Sequence, residues 1–222
     1  MQEAKRSAVE FTVKPERPLA DFEFVERSGR KVEGSELEGK IFVVNFFWAN
    51  CPFTCRKLNE TVAELQKEFK DTDVQFVSIT VEPTIDTPER LKKYADSLNA
   101  PADKWWFLNA PLAETQDFGN NLKVSVAPQS HTDALVVVDR AGKVAGAYYF
   151  NDVVKLEALR KKLRSLLAAQ PAGSKPSDAS TAISSASASP AAGTASTTTP
   201  APAPAPSATP TPSAASSAKK EG

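Results

Sequence analysis

This sequence of 222 residues is poor in the side chains that most often carry site chemistry, since it holds two cysteines, one histidine and one methionine. Two cysteines exclude a disulfide-rich scaffold, and a close pair such as Cys51 and Cys55 indicates a redox or metal pair instead. An excess of one charge is also missing, because 27 Lys and Arg residues balance 27 Asp and Glu residues. Without a basic run, the sequence predicts no nucleic-acid partner.

Long apolar segments are absent as well. No stretch stays apolar over the ~20 residues that a membrane-spanning helix requires. Residues 1–6, Met-Gln-Glu-Ala-Lys-Arg, do not start a secretory signal. The sequence is therefore compatible with a cytosolic protein, or with one whose export or anchor segment lies outside this chain.

The C-terminal part of the chain, residues 171–222, consists almost wholly of Ala, Pro, Ser and Thr. Such a composition cannot bury enough apolar surface to offset the entropy that is lost when the backbone becomes ordered. We therefore predict an N-terminal extension at residues 1–17, one folded domain at residues 18–168, and a disordered tail at residues 169–222. The folded part is long enough for a single core.

Hydrophobic periodicity in the folded part predicts strands that alternate with helices. The run at residues 41–48 is typical of a strand buried on both faces, and helical spacing follows Cys51. Thr87 and Pro88 predict the start of a second helix, and Asn151 or Asp152 opens the last one. The other predicted strands lie near residues 22–25, 28–32, 74–81, 105–108, 134–139 and 144–150. This order indicates an α/β, thioredoxin-like fold with an N-terminal β-hairpin extension and a central insertion.

The cysteine pair lies where a central strand gives way to a helix. N–H groups at the start of a helix favour a thiolate over a thiol, and residues four apart share one helix face. Two adjacent thiolates would chelate Cu(I) or Zn(II), or would close into a disulfide. A redox dithiol of this fold normally has two residues between its cysteines, whereas Cys51 and Cys55 have three. A peroxidase site fits less well, because Trp48 and Val44 occupy the positions of its threonine and proline.

The single histidine, His131, precedes a predicted core strand in a loop that packs against the cysteines in thioredoxin-like folds. One imidazole and two thiolates make a Cys₂His set. That set suits copper in either oxidation state, and also zinc with an open coordination position.

Several features resemble the Sco family (SenC/PrrC type), over about residues 18–165. An apolar strand runs into Cys51-Pro52-Phe53-Thr54-Cys55, and the gap of three residues between the cysteines is specific within this fold. Residues 78–89, Ser-Ile-Thr-Val-Glu-Pro-Thr-Ile-Asp-Thr-Pro-Glu, are similar to the family's Asp-Pro…Asp-Thr-Pro segment. His131 precedes Asp139 by eight residues, in the family's order of histidine, strand, Asp and Gly.

This resemblance implies a ligand set. The family supplies copper during cytochrome c oxidase assembly, which implies that Cys51, Cys55 and His131 bind copper, with zinc the less favoured ion. Asp86 matches an acidic position of the family segment. Either it lies beside the metal, or its carboxylate caps a helix or ties a loop in place. Arg56 stands where members often carry proline, a departure that leaves each implied ligand in place.

The resemblance also implies a function, which is that of a copper metallochaperone rather than an enzyme. The chain would deliver copper to the copper A site of cytochrome c oxidase, and the same dithiol could reduce the cysteines of that site. Its partners would be oxidase subunit II and a copper donor protein. The implied place is the periplasmic side of a bacterial inner membrane, with membrane association, or the mitochondrial intermembrane space of a eukaryote.

Two other interpretations of the sequence stay open. The first is a metal-independent thiol–disulfide oxidoreductase, in which Cys51 and Cys55 form the catalytic pair. The second is a non-catalytic interaction domain with a structural disulfide.

Overall fold

The computed structural model describes residues 12–51, 54–128 and 132–169, which form one mixed sheet between layers of helices. Its strands are β1 Glu23–Glu26, β2 Lys31–Glu33, β3 Phe42–Phe47, β4 Gln75–Thr80, β5 Trp105–Asn109, β6 Ala134–Val138 and β7 Val144–Tyr149. Its α-helices are α1 Thr54–Glu68, α2 Pro88–Ser97, α3 Leu112–Asn121 and α4 Val153–Ala168. Two short 3₁₀ helices span Leu19–Asp21 and Gly34–Leu37.

The strands follow the order β2-β1-β5-β4-β3-β6-β7 across the sheet. The central strands β3, β4 and β5 are parallel, since α1 and α2 return the chain between them. β6 pairs antiparallel with β3, and β7 completes an antiparallel hairpin at that edge. β1 pairs antiparallel with both β2 and β5. The predicted α/β, thioredoxin-like fold with an N-terminal hairpin is confirmed, and the hairpin joins the sheet through β5.

Local sequence signals explain where two of the helices begin. The Thr87 hydroxyl accepts a hydrogen bond from the Arg90 N–H at 3.5 Å, and Pro88 occupies the first position of α2. Proline is tolerated there because that position needs no N–H donor. The Asp152 carboxylate accepts hydrogen bonds from two N–H groups in the first turn of α4. Both helix starts are those that the sequence predicts.

Apolar side chains fill a layer on each face of the sheet. On one face, α1, α2 and α4 pack against the central strands through buried leucines such as Leu58 and Leu159. On the other face, Phe118 of α3 meets Phe22 and Phe24 edge-on, with ring centroids 5.0 and 5.2 Å apart. Every residue of β3 and β4 is buried, as expected of central strands that are covered on both faces.

Residues 12–17, which fall in the predicted N-terminal extension, contact the domain. Val13 exchanges two backbone hydrogen bonds with Val144, at 3.1 and 2.9 Å. The Asn121 side chain at the end of α3 likewise accepts from the N–H of Arg17 and donates to its carbonyl, at 2.9 and 2.8 Å.

The predicted disordered tail and the predicted absence of a membrane-spanning helix both extend to residues that the structure does not describe. Almost all of the predicted tail, from residue 170 onward, lies outside the described residues, so its disorder stays a prediction. Across the described ranges, no helix combines the length and the apolarity that crossing a membrane requires.

Candidate metal and redox site

The two cysteines lie at the junction of β3 and α1, as the sequence predicts. The chain turns after β3, and the Cys51 N–H donates a hydrogen bond to the Trp48 carbonyl at 3.2 Å. Cys55 is the second residue of α1, and its N–H donates to Cys51 Sγ at 3.3 Å. An N–H group from the helix start is therefore directed at a sulfur atom, and neither cysteine forms a disulfide.

Burial distinguishes the two thiols. Cys55 is fully buried, whereas Cys51 is half-buried. Burial raises the pKa of the Cys55 thiol above its ordinary value, and the neighbouring Cys51 and Asp133 act in the same direction. A backbone hydrogen bond with Trp48 lowers this pKa but does not compensate. The loss of solvation is the largest cause of this raised pKa, and the N–H group from the helix start is directed at Cys51 rather than at Cys55.

His131, the third implied ligand, lies outside the described residues. The chain that follows His131 is described from residue 132 onward. Strand β6 begins at Ala134 and runs antiparallel to β3, so the N-terminal end of β6 lies beside the C-terminal end of β3. Asp133 lies near enough to Cys55 for its charge to raise the pKa of that thiol. Across the described ranges, no three Cys, His, Asp or Glu side chains form a group that could hold a metal ion. Ligation by His131 stays a prediction.

Asp86 is a fully buried carboxylate that ties loops together. Its Oδ2 accepts hydrogen bonds from the Ala49 N–H at 2.9 Å and from the Thr80 hydroxyl at 2.7 Å. Its Oδ1 lies 3.5 Å from Arg90 Nε, and Arg90 also donates to the Asn50 side chain. These contacts support the loop-tying alternative, because they hold the residues directly before the first cysteine. A place for Asp86 beside a metal stays a prediction.

Two polar residues that the sequence did not single out lie close to Cys55: Asn59 in the same helix, α1, and Tyr94 in α2. Tyr94 of α2 donates its hydroxyl to the Cys55 carbonyl over 3.5 Å, and accepts from Asn59 Nδ2 at 3.1 Å. Burial raises the pKa of Tyr94 to about 12. The sequence contains a signal for Asn59, which is an amide inside the apolar stripe of α1. It contains none for Tyr94, because that contact joins two different helices.

The site offers two sulfur atoms at the start of one helix, at the C-terminal end of a central strand. Soft metal ions bind paired thiolates, and paired thiols also exchange with disulfides. The fold and the site thus define a thioredoxin-like protein with a Cys-X-X-X-Cys pair. The chain belongs to the SCO1/SenC family, whose sequence model matches residues 12–168.

A SCO1 homologue is among the known proteins that this chain resembles. The SCO1 protein homolog of Bacillus subtilis (strain 168) is 33% identical over 100 residues, which are 44% of this chain and 52% of that relative. The match thus spans about half the length of this curated relative.

Two solved structures share the fold. BsSco, described as a member of the Sco family of cytochrome c oxidase assembly proteins with a disulfide switch, has a TM-score of 0.61 and 24% identity over 74% of this chain and 98% of that one. Arabidopsis thaliana ScoI, solved with copper bound, has a TM-score of 0.53 and 19% identity over 65% of this chain and 96% of that one. At these identities the two structures show the fold alone.

Proposed function

We propose that this chain is a copper metallochaperone that binds copper as cargo through Cys51, Cys55 and His131 and passes it to cytochrome c oxidase. The observation that carries the proposal is the hydrogen bond of 3.3 Å from the Cys55 N–H to Cys51 Sγ, which brings both cysteines to the start of α1. Membership of the SCO1/SenC family supports the choice of copper.

Each proposed ligand has a separate chemical role. The thiolates of Cys51 and Cys55 suit Cu(I), a soft ion, and imidazole from His131 would add the nitrogen that Cu(II) prefers. Because the Cys55 thiol has a raised pKa, metal binding there displaces its proton. The same donor set could take zinc, but the family resemblance favours copper.

The proposed acceptor is the copper A site of oxidase subunit II, whose ligands include a cysteine pair, and a separate protein would donate the copper. The proposed place is the periplasmic face of a bacterial inner membrane, or the mitochondrial intermembrane space. Fractionation of cells that make the native protein tests this placement. Recovery of the native protein in the cytosol would contradict the placement and would weaken the oxidase role.

The ligand set is tested by adding copper to the reduced protein and to His131→Ala. We expect one copper per chain, with visible thiolate-to-copper absorption. The substitution should weaken Cu(II) binding more than Cu(I) binding, since the two thiolates alone hold the softer ion. Affinities come from competition with chelators of known strength. An unchanged Cu(II) affinity and spectrum in His131→Ala would contradict the Cys₂His assignment.

A second candidate function is metal-independent thiol–disulfide exchange, which the placement of the two thiols beside each other favours. In that reaction the cysteine pair gives two electrons and two protons to a partner disulfide and becomes a disulfide itself. Turnover of a model disulfide that persists in His131→Ala and without copper would favour this candidate. Loss of turnover in Cys51→Ser and Cys55→Ser would confirm that the pair carries it.

A further inference from the structure

A connected set of polar side chains lies in the otherwise apolar layer between the central strands and helices α1 and α2. We call it the buried polar chain, and its members are Asn45 of β3, Asn59 of α1, Ser78 of β4, Tyr94 of α2 and Trp105 of β5. Every member except the partly buried Tyr94 is at most 1% exposed.

Three strands hold the first part of the buried polar chain. Trp105 Nε1 donates to Ser78 Oγ at 2.9 Å, and Ser78 Oγ in turn donates to Asn45 Oδ1 at 2.7 Å. Asn45 and Ser78 are register partners in the parallel pair β3–β4, so their side chains emerge on the same face of the sheet. Side chains on paired central strands have little freedom, and they form a rigid base for the rest of the set.

The second part connects this base to the cysteine helix. Asn59 Oδ1 accepts from Asn45 Nδ2 at 3.1 Å and lies 3.2 Å from Ser78 Oγ, whose one proton it shares with Asn45 Oδ1. Asn59 Nδ2 donates to the Tyr94 hydroxyl, which donates to the Cys55 carbonyl over 3.5 Å. Asn59 follows Cys55 by four residues, so the two lie on the same face of α1, one turn apart.

The presence of polar side chains in this layer requires a physical explanation, because leucine side chains of similar volume would fill the same space. A buried amide destabilises the fold unless its atoms are hydrogen-bonded. Among the described residues, no side-chain atom of the buried polar chain is an unpartnered buried atom. Such satisfied networks fix one arrangement of the elements that they join, whereas apolar contacts tolerate small rotations.

We propose that the buried polar chain positions Cys55 by fixing the rotation of the first turns of α1 relative to the sheet. This inference rests on the copper site proposed above. Cys51 belongs to the loop that follows β3, so the rotation of α1 sets where the Cys55 sulfur lies relative to Cys51. Asn59 and Tyr94 are positioning residues, because they act through the backbone of α1 and Cys55 rather than on the copper.

The test compares Asn59→Leu with a matched control, Gln66→Leu. Gln66 is also a buried amide on α1, but it lies two turns further along the helix and outside the buried polar chain. We expect Asn59→Leu to shift the thiolate-to-copper absorption and to weaken copper binding about tenfold. Substitutions of the hydrogen-bonding residues that orient metal ligands have effects of this size. Gln66→Leu should leave both unchanged, although each substitution alters the unfolding midpoint.

Tyr94→Phe serves as a second variant, because it keeps the ring and removes only the hydroxyl that reaches the Cys55 carbonyl. It should shift the same absorption band in the same direction, by less. Ser97→Ala is its control, since Ser97 donates its hydroxyl to the Tyr94 backbone carbonyl on an exposed part of α2. If Asn59→Leu does not fold, Tyr94→Phe decides the outcome.

A copper-free measurement separates this inference from the proposed function. The reduced variants are equilibrated with oxidised dithiothreitol, which accepts two electrons and two protons as Cys51 and Cys55 form a disulfide. A displaced Cys55 should change this equilibrium at least threefold in Asn59→Leu. If the parent protein binds no copper, the proposed function fails, and the dithiol equilibrium still tests the positioning. Folded Asn59→Leu and Tyr94→Phe with the parent's equilibrium and spectrum would overturn the inference.

Discussion

At the scale of single residues, the carboxylate of Asp86 connects three parts of the chain. It accepts hydrogen bonds from the end of β4 through Thr80 and from the loop before the cysteines through Ala49, and it pairs with Arg90 of α2. A fully buried charge is tolerated only when it is paired and hydrogen-bonded, so these partners account for its position. Its removal should loosen the loop that leads into Cys51.

Asp86→Asn is therefore expected to lower the free energy of unfolding by about 2–3 kcal/mol, because an amide group cannot accept from both N–H and hydroxyl and also pair with Arg90. Chemical denaturation of the copper-free protein measures this change. The control is Asp96→Asn, whose carboxylate pairs with Lys92 on the exposed face of α2. That substitution should cost less than about 1 kcal/mol. Equal effects of the two substitutions would show that the contacts of Asp86 do not stabilise the loop before Cys51.

Individual site residues differ in how far the sequence could predict them. Cys51 and Cys55 were placed correctly, because their position depends on one strand and the helix that follows it. The raised pKa of Cys55 was not foreseen, since it depends on burial by distant elements. The contact of Tyr94 with Cys55 likewise joins two helices, and no local pattern records it.

At the scale of elements, helix starts were predictable and one strand pairing was not. Thr87, Pro88 and Asp152 carry local signals that act within a few residues, so α2 and α4 begin where expected. The pairing of β1 with β5 joins Val25 to Asn109, and only packing of the whole sheet determines it. Periodicity identifies a strand and its buried face but not its neighbour.

Helix α3 makes an unusually close contact through Gly119. A Cβ built there would lie 2.4 Å from Val126 Cγ2 and 2.9 Å from the Val124 carbonyl oxygen. The chain after α3 therefore folds back directly over the helix. The Val124 N–H confirms this course, because it donates to the Gly119 carbonyl at 2.9 Å.

Gly119→Ala should consequently destabilise the protein by about 1–3 kcal/mol, the usual cost of overpacking. In an ordinary helix interior the same change would stabilise by roughly 1 kcal/mol, so the sign of the effect tests the contact. Thermal or urea unfolding supplies the measurement. Asn120→Ala, at an exposed position of the same helix, should be neutral or stabilise by about 0.5 kcal/mol. A more stable Gly119→Ala protein would rule out the close packing.

At the scale of the whole molecule, α4 is the last described element, and it is anchored by buried Leu159 and Leu163. The Ala, Pro, Ser and Thr composition of residues 171–222 provides no comparable anchor. The stability of the domain should therefore depend on the helix and not on the segment after it.

Deletion of residues 171–222 is expected to leave the unfolding midpoint and the copper stoichiometry unchanged, since ordering that segment would bury little apolar surface. Differential scanning calorimetry and copper titration of the shortened chain provide the comparison. Leu163→Ala in the same shortened chain is the positive control, and it should cost about 2–5 kcal/mol because the side chain is fully buried. A midpoint that falls on deletion would show that the segment packs on the domain.

The antiparallel pairing of β3 with β6 has a consequence for the order in which the protein is made. Phe42 of β3 pairs with Val138 of β6. Strand β3 therefore lacks β6 as a neighbour until the ribosome has synthesised about four-fifths of the described domain. Both cysteines leave the ribosome long before that strand arrives, and pairings between distant segments form slowly. A nascent chain therefore carries its two thiols for an interval in which β6, and the segment bearing His131 before it, cannot join them. Until β6 pairs with β3, the proposed copper site is therefore incomplete, although both of its thiols are already present.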